Sequence, residues 1–356
     1  MFKKIAEGNV FANTKNATSG SRTAPLADGK IICSYMTNSA QGINDFIPWV
    51  CYSEDGENWS APVCPWEEII GKKSVFGSIR RALNGKICFA GISTPITAPG
   101  EPFWSDEVGG MLANKLVYSI SDDGYSFPPL TEVDLPYYAS AENPGGMLVE
   151  EDGTIMILYS PYPTIEQKEP TEVRRMVIVR SEDGGKTFTP YIVGAEEGPC
   201  QYAEAWLVKL TNGTHFISTW QTAANAHPDR YLLSTDDANT FTEAMPLPFN
   251  GQSTSCEPAE GGKVYVIYNQ RREEPQGVWL ALGKPDESGF NLIANEPIWQ
   301  ADSATRNGTD GEFGNWTDFA FGEPHVSILP DGTLLATLWY ESGDTKGVRY
   351  VKLAIE

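Results

Sequence analysis

Six strand-like segments of the 356-residue chain begin with side chains that could carry chemistry. Each lies shortly before an Asp-Gly, Asn-Gly or Gly-Gly pair, and in chain order they are Arg22, Arg80 with Arg81, Glu142, Glu204, Glu257, and Glu323 with His325. Glycoside hydrolysis needs a carboxylic acid, a carboxylate and donors that orient the sugar, so the set predicts such a site if the strands meet on one axis. The alternative is that some of these residues form buried ion pairs at strand ends. We favour a site for the set as a whole, because perturbed charges cluster at functional centres.

A repeated pattern indicates the architecture that would bring these segments together. A polar residue, a glycine and an apolar strand recur six times, at Gly29, Gly85, Gly153, Gly213, Gly262 and Gly332. Glycine takes positive φ in such turns without steric cost. Repeats of this size, built from short strands, are typical of propeller blades. We therefore predict an all-β fold, a six-bladed β-propeller of four-stranded antiparallel blades, with residues 1–356 as a single domain.

The blades and the loops between them can be placed on the sequence. The predicted blades are centred on 20–61, 74–130, 139–191, 201–244, 252–293 and 318–356. Residues 1–11 are expected to add a closing strand to an existing blade. The longer inserts at 92–114, 160–173 and 300–317 are candidate rims of a pocket, because loops on a rigid scaffold often carry function. Trp104 and Trp316 could stack on sugar rings there.

A second pattern, Ser-x-Asp followed by an aromatic residue, recurs after the first. The copies are Ser53–Trp59, Ser121–Phe127, Ser181–Phe188 and Ser234–Phe241, the last without its glycine. Ser and Asp side chains cap turn amides in such segments. They resemble the Asp boxes of the sialidase (neuraminidase) superfamily, and the chain is identified as a divergent member of that superfamily of six-bladed propellers. The resemblance implies a structural role, so these aspartates are not counted as catalytic residues or calcium ligands.

The resemblance also implies roles for residues near the carboxylate-binding part of the superfamily site. Arg22, in Ser-Arg-Thr-Ala-Pro, resembles the arginine of an Arg-Ile-Pro segment that binds the substrate carboxylate. Arg271 and Arg272, in Asn-Gln-Arg-Arg, stand where another such arginine is expected. Glu341, after Tyr340 in Leu-Trp-Tyr-Glu, resembles a closing glutamate that braces the first arginine.

Two positions resemble the catalytic machinery of the superfamily, and two depart from it. Asp45 matches the position of the general acid, and Glu204 that of a glutamate that activates a nucleophilic tyrosine. Glu323 stands where the tyrosine is expected, and Trp220 with Gln221 where an arginine is expected. The lost arginine removes a charge-assisted contact, and the lost tyrosine removes covalent catalysis unless a carboxylate replaces it.

We therefore expect an exo-acting glycoside hydrolase for a sugar other than sialic acid, with an anionic sugar left open. The expected acid/base is Asp45 or Glu204, the second carboxylate is Glu257 or Glu323, and the donors are Arg22 with Arg271 or Arg272. Further candidates for substrate contact are Arg80, Arg81, Glu142, Gln221, His325, Tyr340 and Glu341. One alternative is a polysaccharide lyase on uronic-acid polymers, with His325 or Tyr340 as base and Arg271 as neutralising group. Another is a non-catalytic carbohydrate-binding propeller.

Composition argues against several other classes of protein. The formal charge is −21, from 47 acidic and 26 basic residues, which opposes binding to nucleic acids and to anionic membranes. Three histidines and six scattered cysteines without a CxxC pair predict no metal or other cofactor. The pattern indicates no obligatory protein partner. The N-terminus lacks the apolar stretch of a signal peptide, so a cytoplasmic location is expected, or secretion if a signal was removed.

Overall fold

The fold is built from short antiparallel strands. The computed structural model describes residues 1–137, 139–142, 145–166, 173–197, 202–221, 228–302 and 319–356. Within these ranges the helical content is a single 3-10 turn at Glu67–Ile69. The described residues contain no helix long and apolar enough to cross a lipid bilayer. Strand pairing therefore accounts for the architecture.

Twenty-six strands are assigned in the described ranges. In chain order they are β1 (Phe2–Asn13), β2 (Ala17–Pro25), β3 (Ile31–Asn38), β4 (Ile47–Ser53), β5 (Lys73–Arg81), β6 (Ile87–Pro95), β7 (Trp104–Ser105), β8 (Gly110–Met111), β9 (Lys115–Ser121), β10 (Thr131–Val133), β11 (Ser140–Glu142), β12 (Met147–Val149), β13 (Ile155–Tyr162), β14 (Val173–Ser181), β15 (Thr189–Glu197), β16 (Tyr202–Lys209), β17 (His215–Gln221), β18 (Arg230–Ser234), β19 (Met245–Pro246), β20 (Gln252–Ala259), β21 (Lys263–Gln270), β22 (Gly277–Asp286), β23 (Gly289–Gln300), β24 (Phe321–Ile328), β25 (Leu334–Ser342) and β26 (Thr345–Ile355).

Twenty-four of these strands form six blades, each an antiparallel sheet, and β7 pairs with β8 in a separate two-stranded sheet. From the inside outwards the blades are β2-β3-β4, β5-β6-β9-β10, β11 and β12 with β13-β14-β15, β16-β17-β18-β19, β20-β21-β22-β23, and β24-β25-β26-β1. The innermost strand of each blade contacts the innermost strand, or the second strand, of a neighbouring blade. The ring is complete because β24 of blade 6 contacts β2 of blade 1. The predicted six-bladed propeller is confirmed.

Two blades differ from a regular set of four strands. In blade 3 the inner strand is divided into β11 and β12, which both pair with β13. In blade 1 the outer strand is reduced to the isolated bridges Val50↔Val63 and Ser53↔Trp59. Pro62 and Pro65 flank Val63. Because proline has no amide hydrogen to donate, a continuous ladder cannot extend through this segment.

The N-terminal strand closes the ring. β1 pairs with β26 from Phe2↔Ile355 to Asn13↔Lys346, so it becomes the outer strand of blade 6. Residues from the two ends of the chain therefore share one sheet. The predicted closing role of residues 1–11 is confirmed.

Apolar clusters fill the six spaces between neighbouring blades. The cluster between blades 5 and 6, for example, joins Leu280 to Val326, and the cluster between blades 6 and 1 joins Leu335 to Cys33. Because each blade is covered on both faces, its middle strands are buried along their length rather than at alternate residues, and every residue of β13 is buried. The hydrophobic core is thus a ring of six clusters around the axis, and the inner strands line the axis itself.

The Ser-x-Asp segments form hydrogen-bonded turns at the surface. Asp183 Oδ1 accepts bonds from the backbone nitrogens of Lys186 and Thr187, each 3.0 Å long, and from Ser181 Oγ at 2.8 Å. Hydrogen bonds from the backbone and side chain of Thr187 hold the pKa of Asp183 well below its usual range. These carboxylates are therefore engaged in their own turns.

Candidate active site

Backbone irregularities on the inner strands direct side chains toward the axis. In blades 1, 4, 5 and 6 the inner strand carries a bulge of one extra residue relative to its partner. Each bulge contains one residue with left-handed φ: Gly20 (60°), Glu204 (50°), Ser253 (62°) and Glu323 (44°). Glycine adopts this conformation freely, but it costs the other three about 1–2 kcal/mol each. Strained backbone of this kind is concentrated at functional sites, where contacts with the surrounding structure hold it in place.

A cavity of about 170 Å³ lies where the inner strands meet. All six blades line it, through Ser19, Phe76, Glu142, Glu204, Ser253 and Glu323. Much of the remaining wall is aromatic: Phe46, Phe103, Trp104, Trp220, Phe319 and Trp339. Aromatic faces beside carboxyl groups are a composition suited to sugars, whose apolar ring faces and hydroxyl groups need both kinds of surface.

Three glutamates, Glu142, Glu204 and Glu323, face this cavity and are called the acidic cluster below. Glu142 Oε2 accepts a hydrogen bond from the backbone nitrogen of Glu204 at 2.9 Å. Glu323 Oε2 accepts one from the backbone nitrogen of Gly20 at 2.8 Å. Each bond joins a carboxylate of one blade to the bulge of the next blade. Glu204 Oε2 is buried and accepts no hydrogen bond within the described part of the chain.

Burial and mutual repulsion raise the pKa values of the acidic cluster. Burial is the largest cause for all three, and the charges of Glu204 and Glu323 raise the pKa of Glu142 further. For Glu204 the charge of Glu323 is the next cause and ranks ahead of the opposing effects of Arg271 and Arg22. For Glu323 the next causes are favourable, because Arg22, a backbone amide and Arg271 all lower its pKa. Burial thus raises the pKa of all three carboxyls, and the opposing guanidiniums rank highest among the other causes at Glu323.

Arg271 lies at the cavity wall, and its buried Nε has no hydrogen-bond partner within the described residues. Nη1 donates to Gln252 Oε1 at 2.9 Å, and Nη2 donates to the backbone oxygen of Phe321. The guanidinium carbon lies 3.8 Å from the ring centroid of Phe319. The residue is 3% exposed. Burial lowers the pKa of Arg271, and the charges of the acidic cluster oppose that shift.

Arg22 lies behind the wall and does not line the cavity. Its Nη1 donates to the backbone oxygens of Ser21 and Glu323, both at 2.8 Å. Its guanidinium carbon lies 5.2 Å from the ring centroid of Trp206. The side chain is 2% exposed, so it supports the backbone of Glu323 from within the protein.

A second group of buried polar residues consists of Arg80 and His325, which contact Trp206, and Glu257, which interacts with Arg80. Arg80 stacks 5.5 Å from the Trp206 ring centroid and donates to the backbone oxygen of Leu207. Burial raises the pKa of Glu257 to about 7, and Arg80 opposes the shift. The His325 ring lies 5.4 Å from the Trp206 ring, and burial followed by nearby guanidiniums lowers its pKa well below the usual value. None of these three residues lines the cavity.

Asp45 is close to the cavity in sequence but does not line it. The side chains on either side of it, Asn44 and Phe46, are part of the wall. Asp45 Oδ1 instead accepts a hydrogen bond from the backbone nitrogen of Ser39 at 2.9 Å. Its carboxylate is engaged in the loop between β3 and β4.

The two candidates near the end of β25 face away from the axis. Tyr340 is 3% exposed, and its hydroxyl donates to Asn9 Oδ1 at 3.0 Å. Glu341 forms an ion pair with Lys346 at 3.1 Å. The expected bracing of the first arginine is therefore made by the backbone of Glu323 and not by Glu341.

The remaining candidates are not part of the cavity wall as described. Arg81 is exposed, and Arg272 is half-buried in the loop after β21 with its backbone nitrogen bonded to Gln270. The side chain of Gln221 and the whole of Trp316 lie outside the described residues.

Sequence reasoning named Trp104 and Trp220 of the aromatic wall but missed its phenylalanines. Phe46 contacts Phe76 and Phe103 edge-to-face, with ring centroids 5.3 and 5.4 Å apart. The available signal was the insert 92–114, predicted as a rim, which supplies Phe103 and Trp104. Within the described residues, no group of three or more His, Cys, Asp or Glu side chains is arranged to hold a metal ion.

Comparisons with known proteins reveal similarity in structure. No family model and no curated protein sequence matches the chain. A Dyadobacter fermentans protein of unknown function is 15% identical with a TM-score of 0.77, over 100% of this chain and 99% of that one. The NanB sialidase of Streptococcus pneumoniae is 13% identical with a TM-score of 0.68, over 98% and 70% of the two chains. An intramolecular trans-sialidase of Ruminococcus gnavus is 13% identical with a TM-score of 0.63, over 98% and 96%. At such identities the likeness defines the fold, and the chain is a six-bladed β-propeller with the fold of the sialidases.

Proposed function

We propose that the protein is a glycoside hydrolase that cleaves a sugar other than sialic acid in the axial cavity. The observation that carries the proposal is the acidic cluster, three carboxyl groups that face one cavity, with Glu204 and Glu323 both on left-handed backbone. Glu150, by contrast, forms an ion pair with Lys209 and a hydrogen bond with His215 at the ends of strands, and none of these residues lines the cavity. The three glutamates of the acidic cluster do line it.

The different surroundings of Glu204 and Glu323 assign their roles. Glu204, whose pKa is raised by burial and by Glu323, acts as the general acid and donates its proton to the glycosidic oxygen as the bond to the sugar breaks. Glu323, where Arg22, the Gly20 amide and Arg271 oppose the rise in pKa that burial causes, acts as the second carboxylate, which either bonds to the anomeric carbon or deprotonates the water that does so. Glu142 positions the acid through its bond to the Glu204 amide.

The geometry gives no support to one alternative function, a lyase, and some support to the other, a binding propeller. A lyase that uses His325 or Tyr340 as base with Arg271 receives no support, since neither proposed base lines the cavity. A carbohydrate-binding propeller without catalysis is the second candidate. Its support is that Glu142 and Glu323 both bond to the bulge of the next blade, so the cluster also has a structural role.

Turnover of aryl glycosides tests the proposal. The purified chain is assayed against a panel of neutral and acidic aryl glycosides that includes a sialoside. We expect hydrolysis of a non-sialic member and, in Glu204→Gln, a fall in kcat/KM of about 100-fold or more, because general acid catalysis contributes about that much. Glu341→Gln, which removes the same charge away from the cavity, is the control. Hydrolysis of the sialoside would contradict the proposal, and sugar binding without turnover would favour the binding propeller.

A further inference from the structure

Two cysteines of blade 1 form a pair that the proposed function does not use. Cys33 on β3 and Cys51 on β4 lie directly opposite each other in the strand register, and both thiols are free. We propose that these two thiols join in a reversible disulfide, which crosslinks the β3–β4 hairpin under oxidising conditions. This inference goes beyond the proposed function and does not depend on it.

Backbone hydrogen bonds place the two cysteines at a spacing that a disulfide can bridge. The N–H and C=O groups of Val50 both bond to Val63, on the side of β4 that faces away from β3. Because backbone groups alternate along a strand, those of Cys51 point toward Cys33, and the two residues form a hydrogen-bonded antiparallel pair. The Cα atoms of such a pair lie about 5.5 Å apart. Disulfides join Cα atoms that are about 4.4 to 6.8 Å apart, so the spacing of the two strands suits the bond.

The side chains of the pair lie on the same face of the blade. Both cysteines belong to the apolar cluster between blades 6 and 1, where they are 0% and 1% exposed. Cys51 Sγ lies 3.8 Å from the backbone oxygen of Cys33, and the Cys51 thiol also interacts with the Cys33 thiol. The two sulfur atoms are therefore neighbours in a site that is closed to solvent.

The structure of blade 1 provides a route by which an oxidant can reach the pair. Its outer strand is reduced to two isolated bridges, Val50↔Val63 and Ser53↔Trp59, so β4 is covered by a loop and not by a continuous ladder. Trp59 of this loop packs against the cluster that contains both cysteines. Few backbone bonds must break for the loop to open, and such weakly held segments open at a lower free energy than the whole protein. Opening of this loop would therefore uncover the two thiols.

The bond forms by thiol–disulfide exchange with a low-molecular-weight disulfide such as glutathione disulfide. The thiolate of one cysteine attacks the oxidant, forms a mixed disulfide and releases one glutathione thiolate. The thiolate of the other cysteine then attacks the protein sulfur of the mixed disulfide and releases the second glutathione. Two protein thiols are oxidised to one disulfide, one glutathione disulfide is reduced to two thiols, and these take up the two protons. Burial and the neighbouring Cys51 thiol raise the pKa of Cys33, with Arg22 opposing, so the exchange is slow while blade 1 is closed.

The crosslink would also restrain one side of the axial cavity. The two cysteines are 18 positions apart in the chain. The segment between them includes the β3–β4 loop, which contributes Gln41, Asn44 and Phe46 to the cavity wall. A bond that closes this segment limits how far the loop can move from the rest of blade 1. The redox state of the pair therefore affects the rigidity of the wall.

Peptide mapping of the whole chain after incubation with glutathione disulfide tests the crosslink. The protein is treated with the oxidant or with dithiothreitol, unfolded with N-ethylmaleimide to block free thiols, and digested for mass spectrometry. We expect a linked peptide pair that contains Cys33 and Cys51 and that dithiothreitol removes. Cys88, also 1% exposed, faces Arg80 and Ile120 on its two neighbouring strands, so it is the matched control and should stay free. Glutathione left on Cys51 beside a free Cys33, or equal oxidation of Cys88, would overturn the inference.

Refolding and melting experiments separate an impossible bond from a blocked oxidant. The chain is refolded from urea in a mixture of reduced glutathione and glutathione disulfide, so that burial does not limit access to the thiols. Free Cys33 and Cys51 in the refolded protein would overturn the inference. The crosslinked chain should melt on the order of 3 °C above the chain treated with dithiothreitol, because the bond constrains the unfolded state. Cys51→Ser should remove this difference, and an equal shift in that variant would contradict a stabilising crosslink.

Discussion

Glu142 combines two opposing effects on stability at a single position. Its Oε2 accepts the amide of Glu204 and so holds the left-handed backbone of that residue in place. Its charge, however, is buried beside Glu204 and Glu323. A glutamine keeps an acceptor oxygen of the same reach and removes the charge, so the two effects can be separated.

The Glu142→Gln variant should become more stable than the wild type as the pH rises. Burial, Glu204 and Glu323 raise the folded-state pKa of Glu142 above its unfolded value. Between those two values the folded protein binds more protons than the unfolded one, so wild-type stability falls with rising pH through that window. We expect the variant and wild type to melt alike near pH 4, below the unfolded pKa, and the variant to gain on the order of 1–2 °C near pH 9.

Thermal melting across this pH range, with Glu341→Gln as control, measures the effect. The control removes a charge that is paired with Lys346 near the surface, so its melting temperature should show no comparable rise relative to wild type. A Glu142→Gln protein that is less stable than wild type near pH 9 would mean that the carboxylate bracing outweighs the repulsion.

At the scale of elements, the turns could be predicted from the sequence and the bulges could not. A glycine turn is local, so Gly29 and Gly153 mark their hairpins without help from the rest of the chain. A bulge on an inner strand depends on the neighbouring blades, and it resets which side chains face the axis. The sequence analysis located each candidate by its distance from the following turn, and so it assigned Glu257 and Glu204 to the same site. Glu204 is itself the residue at a bulge, whereas Glu257 lies four residues after the bulge at Ser253. Glu257 belongs to the second group of buried polar residues and Glu204 to the cavity.

The Ser-x-Asp turn of blade 3 allows backbone strain to be separated from crowding. Gly184 (φ 75°) and Gly185 (φ 84°) are both left-handed. A Cβ at Gly184 would meet nothing within 4 Å, whereas one at Gly185 would meet the Tyr118 hydroxyl. We expect Gly184→Ala to lower the free energy of unfolding by about 1 kcal/mol and Gly185→Ala to lower it by clearly more. Urea denaturation of the two variants measures both, and equal losses would contradict the crowding argument.

The closing strand β1 offers a matched pair of substitutions at two bulge positions. Val10 is 8% exposed in the cluster between blades 6 and 1, whereas Ile5 is 49% exposed. Val10→Asp should lower the free energy of unfolding by about 2–3 kcal/mol, because it buries a charge without a partner, and Ile5→Asp by less than about 0.5 kcal/mol. Urea denaturation compares them. If both variants lost the same free energy of unfolding, Val10 of β1 would not be packed in the cluster between blades 6 and 1.

At the scale of the whole molecule, closure and charge oppose each other. The last apolar cluster forms only when residues from both ends of the chain share blade 6, so the ring is stabilised by contacts distant in sequence. The net charge of −21 works against this compact state through self-repulsion. The charge could be predicted from composition and the convergence of Glu142, Glu204 and Glu323 from the repeat, whereas the separation of Glu257 from them became evident only in the structure.

Salt should therefore stabilise the protein near neutral pH. Raising NaCl from about 10 mM to about 200 mM shortens the screening length from about 30 Å to below 10 Å and weakens repulsion among the excess carboxylates. The same salt weakens exposed ion pairs such as Lys3 with Glu356 and Lys115 with Asp134, but each of these contributes little. We expect the melting temperature to rise by on the order of 2 °C, measured by calorimetry, with an equal rise in KCl because the effect is one of screening. A fall in melting temperature with salt would show that the surface pairs, and not the net charge, dominate the electrostatic free energy of folding.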